Sequence, residues 1–376
     1  MPDQKKCVQD AESASLTRRK RWQAEIKKIM KKPRAYVKAP WWLVSLASSS
    51  SSFIDNPILG SQFFNELGLH AKRVTLAAQL TAQRRQSLAH CISADDKAFF
   101  HENGFVIKEN FLATADFEGL QRELLAREFE ARETLQGDTV TRRIALDGSV
   151  LTDLPHTRQL LQNPVWRGLL AYIGSFNAQP LIYLQAILSN VRVHRPDPQT
   201  SLHADTFHSS VKAWLFLTDV AEDEGPFVYV PGSHRLTPER LAWERKRSLN
   251  AASSDRMSAR GSLRIREKEL KALGLPAPKL FAVKKNTLVV ADTFGFHARG
   301  PSVRPSTRVE LWAFSRRNPF LPLTGFDPLK LPVLQDHVIP LYWWGLDQME
   351  ARGWRRNPWR RVGRLHVQDP ARLTKK

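Results

Sequence analysis

Two side chains that bind metal ions, His203 and Asp205, stand two residues apart in the chain. On an extended segment, residues i and i+2 project to the same face, so both can aim at one ion. A third donor has to come from elsewhere, and His297 follows a strand-like run from Thr287 to Val290. Two imidazoles and one carboxylate on a single face leave three positions open around Fe(II), which an oxidisable substrate system and O2 require. A His-x-Asp pair by itself is more often a pair of ordinary surface residues. Its context sharpens it, because Arg308 lies eleven residues beyond His297. It opens the alternating run Arg308-Val309-Glu310-Leu311-Trp312-Ala313-Phe314. A guanidinium there can grip a carboxylate through two parallel hydrogen bonds.

These side chains need a sheet to hold them. Short β-rich runs occur at 181–194, 211–220, 227–230, 281–291 and 307–315, separated by Pro, Gly and Asp turns. Upstream, Gly104 to Ile107 reads as a first strand. Thr114 reads as the N-cap of a helix with Phe117, Leu120 and Leu124 on one face. A second helix is expected from about Leu154 to Ile173. Helices first and many short strands afterwards predict a mainly β fold, a sandwich or jelly roll with helices packed outside. Residues 235–280 interrupt the strands as a basic, helical insertion. Residues 12–32 read as a basic amphipathic helix with Trp22, Ile26, Ile29 and Met30 on one face, ended by Pro33. Ser48 to Ser52 reads as a linker, and a further helical stretch lies near 70–90.

With these residues in hand, the stretch 97–320 resembles the phytanoyl-CoA dioxygenase family of Fe(II)- and 2-oxoglutarate-dependent oxygenases. The family's iron motif is matched by His203, Asp205 and His297, and its 2-oxoglutarate arginine by Arg308. Glu224-Gly225-Pro226-Phe227-Val228-Tyr229-Val230-Pro231-Gly232-Ser233-His234 is similar to the turn and strand after the first two ligands. The resemblance implies a double-stranded β-helix (jelly roll, cupin-like) core. It implies Fe(II) as cofactor, with 2-oxoglutarate and O2 as co-substrates and succinate as a product. It also implies pocket roles for Trp214, for Asn190 and for a basic residue at Arg143, with Arg142 an equal candidate. Two residues after the distal histidine some relatives carry a small hydroxyl; here Arg299 stands there, which points to a different substrate charge. Related halogenases lack the carboxylate ligand, so Asp205 favours hydroxylation.

Nearby residues compete for attention. His194, His208 and His234 flank the motif, but His234 closes a Pro-Gly-Ser-His turn and His208 does not share the strand face of His203. Asp292 reads as a turn residue. Asp219, Glu222, Asp223 and Glu224 form a solvated acidic loop, and Lys284-Lys285-Asn286 a hairpin turn.

The chain has 376 residues and a net charge of +20, concentrated at the periphery. Residues 1–40 hold 12 basic and 4 acidic residues, 235–285 hold 14 and 5, and 341–376 hold 9 and 3. The organisation expected is a basic helical N-terminal extension (1–96), a dioxygenase domain (97–320, with the insertion 235–280) and a basic aromatic C-terminal tail (321–376). Such ends attract anionic partners. The tryptophans of Tyr342-Trp343-Trp344 and of Trp354 to Arg361 either pack on the domain or meet an anionic membrane surface. A nucleic-acid partner is disfavoured because no recognised binding module accompanies the charge. Cys7 and Cys91 define neither a disulfide framework nor a zinc site. No secretory signal or spanning segment is read, so a cytoplasmic protein, peripheral at the inner membrane face, is expected. The expected activity is hydroxylation of a small or lipid-like organic substrate. The competing classes are a non-catalytic lipid- or partner-binding protein of the same fold and a nucleic-acid-acting oxygenase.

Overall fold

The computed structural model describes residues 18–32, 35–191, 195–325, 327, 330–331, 334 and 336–373. Cys7, residues 12–17, Pro33, Arg192, Val193 and His194 lie outside these. The strands are β1 (Phe105–Lys108), β2 (Glu128–Gln136), β3 (Thr139–Ala145), β4 (Leu181–Ser189), β5 (Val211–Phe216) and β6 (Phe227–Tyr229). They continue with β7 (Lys279–Phe281), β8 (Leu288–Asp292), β9 (His297–Arg299), β10 (Ser306–Ser315) and β11 (Arg360–His366). Eight of them form an antiparallel sheet in the order β1-β8-β5-β10-β4-β3-β2-β11, and three form a small sheet, β7-β6-β9. This is the mainly β, jelly-roll core with flanking helices.

Strand alternation divides the molecule into layers. On β10, Val309, Leu311 and Ala313 face one way and join Leu120, Leu124, Trp166 and Leu169 of the outer helices in the largest apolar cluster. Trp312 belongs to a second cluster with Trp214, Phe227, Tyr229 and Phe281, which lies between the large and small sheets. Period-two patterning thus places one face of the large sheet against helices and the other toward the small sheet.

Several elements differ from expectation. The helix expected over 154–173 is two helices, Pro155–Gln162 and Pro164–Gly174, because Asn163 leaves helical geometry and caps the second through Val165 N and Trp166 N. Pro164 has no amide hydrogen to continue the first. Thr114 is the first residue of its helix, and Ala113 occupies the cap position. Lys284-Lys285-Asn286 does not close a hairpin: β7 belongs to the small sheet and β8 to the large one, so the turn carries the chain between layers. Ser48 to Ser52 is not a free linker. Arg73 donates to the carbonyls of Ser48 and Ser50 at 2.9 and 2.8 Å, fixing the run against the domain.

Strands β2 and β3 escape sequence reading because each carries charge toward the core. The pair that explains this is Glu133 and Arg142, fully buried and in contact at 2.6 Å. Arg142 also donates to the carbonyls of Val367, Asp369 and Pro370, and Glu133 accepts from the amides of Arg372 and Leu373. The C-terminal segment is therefore locked into the fold, with β11 paired to β2. Trp343 packs on Tyr183 with ring centroids 5.9 Å apart, whereas Trp344 and Trp354 are exposed. At the other end, the chain is helical over residues 18–30, and Trp22 meets the edges of Phe63 and Phe64. No helix among the described residues is long and apolar enough to cross a membrane.

Candidate metal centre and cofactor pocket

His203 and His297 are far apart in sequence and adjacent in space through a two-way backbone bridge. His203 N donates to His297 O at 3.0 Å, and His297 N donates to His203 O at 2.9 Å. The rings then sit with centroids 4.6 Å apart. Each ring is oriented by its Nδ1, which lies 2.8 Å from the Ser201 carbonyl in His203 and 2.9 Å from the Gly295 carbonyl in His297. A carbonyl can only accept, so Nδ1 carries a hydrogen in each ring and Nε2 is the atom left facing the site. Gly295 is needed here, since a Cβ would stand 1.9 Å from the Tyr229 hydroxyl.

Both Nε2 atoms face Asp205 Oδ1, at 3.6 Å from His203 and 3.5 Å from His297. Among the described residues, this is the one group of three ligand-type side chains close enough to hold an ion. His297 Nε2 is buried without a hydrogen-bond partner. An orphaned lone pair is costly in a protein interior, and a metal ion would satisfy it. Burial, then the neighbouring His297, pushes His203 down to about 3, so its imidazole is neutral and ready to ligate. Burial alone would raise the Asp205 carboxyl, but Lys212 and His297 outweigh it and hold it well below the usual range. Two imidazoles and one carboxylate fit Fe(II).

A cavity of about 340 Å³ opens from this group. Lys212 and Trp214, two residues apart on β5, both line it. Lys212 Nζ lies 2.6 Å from Asp205 Oδ2. Trp214 packs against Phe227 at 4.3 Å, forming a wall between the sheets. Arg308 lines the same cavity from β10. Its Nε donates to Glu310 Oε2 at 2.7 Å, and its Nη1 to the carbonyl of Gly225. Gly225 has φ 68°, a left-handed turn conformation that suits glycine.

Register extends this into a row across three strands. Glu310 pairs with Gln185 and Gln185 with Arg143. Gln185 Nε2 donates to Glu310 Oε1 at 2.8 Å, and Arg143 Nε donates to Gln185 Oε1 at 3.0 Å. The Arg143 guanidinium lies over Trp312 at 4.1 Å and Trp359 at 4.7 Å. Burial lowers it to about 10, so it remains a cation at neutral pH.

Residues 100–272 match the family model of phytanoyl-CoA dioxygenase (PhyH). The chain carries a phytanoyl-CoA dioxygenase family domain. The matched region is thus of the Fe(II)/2-oxoglutarate-dependent oxygenase type, and His203, Asp205 and His297 form the group that could hold the metal ion. Among solved structures, it is similar to the epimerase SnoN in complex with Fe3+, alpha ketoglutarate and nogalamycin RO. There the identity is 20%, covering 63% of this chain and 92% of that one, with a TM-score of 0.39. HygX from Streptomyces hygroscopicus, with nickel and 2-oxoglutarate bound, is 16% identical over 59% of this chain and 86% of its own, with a TM-score of 0.38. AviO1 from Streptomyces viridochromogenes Tue57 is 15% identical over 62% and 97%, with a TM-score of 0.35. No curated protein matches the chain.

The stretch matched to the PhyH family ends before His297 and Arg308, so only folding brings these two to the residues it covers. His203, Asp205, His297, Trp214, Arg143 and Arg308 all line one cavity. Asn190 does not line it: its φ of 53° ends β4, and its side chain donates to the Ser302 carbonyl at 2.7 Å. The cavity residue from β4 is Gln185. Arg142 points to the opposite side of β3, toward Glu133, which separates it from Arg143.

Arg299 lines the cavity and forms an ion pair with Asp197, which is buried. His208 and His234 do not line this cavity. His208 is buried, with Nδ1 at 2.8 Å from the Ser209 carbonyl, and His234 packs on Phe100. Asp292 pairs with Arg85 at 2.7 Å and accepts from Phe294 N at 3.0 Å, a structural part. Asp223 and Glu224 pair with Arg304, and Asp219 with Lys284. Cavity residues that sequence reading missed include Lys212, Gln185, Arg316 and Trp359, together with Glu310 behind Arg308. Lys212 and Glu310 carried a signal, each standing two residues from a chosen position on an alternating strand.

Proposed function

We propose that this protein is an Fe(II)- and 2-oxoglutarate-dependent dioxygenase that hydroxylates a small organic molecule. One observation carries the reading: two imidazoles locked with Nε2 toward one carboxylate oxygen, in the same cavity as a buried arginine. In it, His203, Asp205 and His297 would hold the iron, and Arg308 would grip the far carboxylate of 2-oxoglutarate, while Glu310 and the Gly225 carbonyl keep its guanidinium in place. Trp214 excludes water from one side, and Arg143 supplies positive charge from β3. When bound, Fe(II) and 2-oxoglutarate supply the oxidising chemistry, with O2 consumed and 2-oxoglutarate decarboxylated to succinate.

The test is anaerobic titration of purified protein with Fe(II) and 2-oxoglutarate, following the weak visible absorption of the chelate. The band is expected in wild type and absent in His203→Ala and Asp205→Ala. A folded, metal-binding wild type that gives no band would move the reading to a non-catalytic binding protein of the same fold.

A second element concerns where the substrate is met. On the helix Ala35–Leu46, Val37, Trp41 and Val44 are exposed at i, i+4 and i+7, beside the basic helix at 18–30. An apolar stripe next to lysines and arginines suits an anionic membrane surface and a lipid-like substrate. Flotation with anionic and neutral vesicles tests this; full-length protein that stays in the aqueous fraction with both would remove it.

A further inference from the structure

The row of cavity-facing residues on β10 begins at Arg308 and continues past the strand end to Arg316. Arg308, Trp312, Phe314 and Arg316 all line the cavity. Phe314 pairs in register with Lys212, the residue that touches Asp205. Along the strand, Arg316 therefore lies two residues past the position paired with Lys212, and Arg308 six residues before it.

Arg316 has an unusual set of partners. Its Nη2 donates to the Ser49 carbonyl at 2.5 Å and to Ser51 Oγ at 3.2 Å, and its Nε is buried without a partner. Arg73, beside it, donates only to the carbonyls of Leu46, Ser45, Ser48 and Ser50 and lies over the Phe207 ring at 4.1 Å. Among the described residues, no carboxylate forms an ion pair with either arginine. Burial, then repulsion from Arg316, lowers Arg73 to about 10. The other ionisable groups facing Arg316 are His208, which burial and Arg316 push down to about 3, and Asp205. Asp205 is committed to Lys212 and the metal-binding group. A buried guanidinium, Arg73, beside a half-buried one, Arg316, with no ion-paired carboxylate is costly, and an incoming anion would relieve both.

We propose that the primary substrate carries an acidic group, a carboxylate or a phosphate, that binds Arg316 at the end of the cavity away from Arg308. This rests on the oxygenase reading of the same cavity and adds the substrate's chemical class. The serine run Ser48 to Ser52 holds the arginine toward the cavity, and Phe314 offers an apolar surface beside it.

The test uses full-length protein held anaerobically with Fe(II) and saturating 2-oxoglutarate, so that Arg308 is occupied. Benzoate, phenyl phosphate and benzamide are titrated, reading the shift of the visible band and, separately, the thermal midpoint. One or both acids are expected to bind saturably, with benzamide roughly tenfold weaker or more, the scale of one charge-assisted hydrogen bond. Benzoate against phenyl phosphate distinguishes the two acid types. Arg316→Gln is expected to lose about tenfold in acid affinity, and Arg316→Lys to keep most of it. The 2-oxoglutarate titration of each variant reports whether it is folded. Equal binding of benzamide and the acids, or acid binding unchanged in Arg316→Gln, overturns the proposal. If wild type forms no visible band, the oxygenase reading fails by itself, and the thermal-midpoint titration of metal-free protein still decides the anion site.

Discussion

The ammonium of Lys212 stands 2.6 Å from Oδ2 of Asp205, while Oδ1 of the same carboxylate faces the ring nitrogens of His203 and His297. The two oxygens thus have separate partners. With Oδ2 held by Lys212, Asp205 would offer a metal ion Oδ1 alone. Lys212→Met should therefore bind Fe(II) as tightly as wild type or more so, because a nearby cation is gone. Its affinity for 2-oxoglutarate should fall roughly tenfold, about 1.4 kcal/mol, as the freed oxygen competes for the ion. Separate titrations with Fe(II) and then 2-oxoglutarate read the two effects; a loss confined to Fe(II) affinity would contradict this role.

Arg308 uses a planar fork whose Nε is already committed to Glu310. Arg308→Lys keeps the charge and loses the fork. We expect 2-oxoglutarate affinity to drop about 10- to 100-fold, or about 1.4–2.8 kcal/mol, with Fe(II) affinity unchanged. Equilibrium titration of the visible band measures it.

Glu133 and Arg142 form a buried pair that also ties down the last described residues of the chain. Removing one partner leaves the other charge buried and alone. Glu133→Ala should destabilise the protein by about 3–5 kcal/mol, read as a lowered urea midpoint. Deleting residues 354–376 should lower the midpoint as well, since it strips β11 from the sheet edge and Trp359 from the cavity wall. Wild-type stability in the truncated chain would mean that this segment is a dispensable tail.

Asp347 binds Arg132 through both oxygens at 2.7 Å, and Arg361 at 2.6 Å. The side-chain hydrogen bond from Arg132, opposed by partial burial and reinforced by Arg361, holds its carboxyl well below the usual range. A depressed folded-state pKa stabilises fully above the unfolded value of about 3.9 and is lost as pH falls toward the folded value. Asp347→Asn should thus be less stable than wild type near neutral pH, by about 1–3 kcal/mol. The difference should shrink below roughly pH 4. Thermal midpoints across pH 2–7 test the sign.

Two members of the candidate metal-binding group were legible because they are local. His203 and Asp205 share a face by their spacing, and Arg308 leads an alternating strand after His297. The choice between Arg142 and Arg143 was not legible. Adjacent strand residues point to opposite faces, and only the position of Glu133 and the C-terminal carbonyls shows which face is which. Strands β2 and β3 were unread for the same reason, since a charged residue looks exposed until its buried partner is known. Asn190 was placed by resemblance at a strand position, but the chain turns left-handed there and takes its side chain away.

What the sequence indicated by itself is the type of site: the proposed ligand pair His203 and Asp205 and the proposed co-substrate arginine on a β-rich framework, read from short spacings and strand alternation. Tertiary structure alone decided how the cavity is finished. Lys212, Gln185, Glu310, Arg316 and Trp359 come from β5, β4, β10, the segment just beyond it and the approach to β11, and the serine run that holds Arg316 lies 265 residues away in the chain. Their neighbours are set by strand register and sheet closure, which depend on long-range pairing rather than on any local pattern.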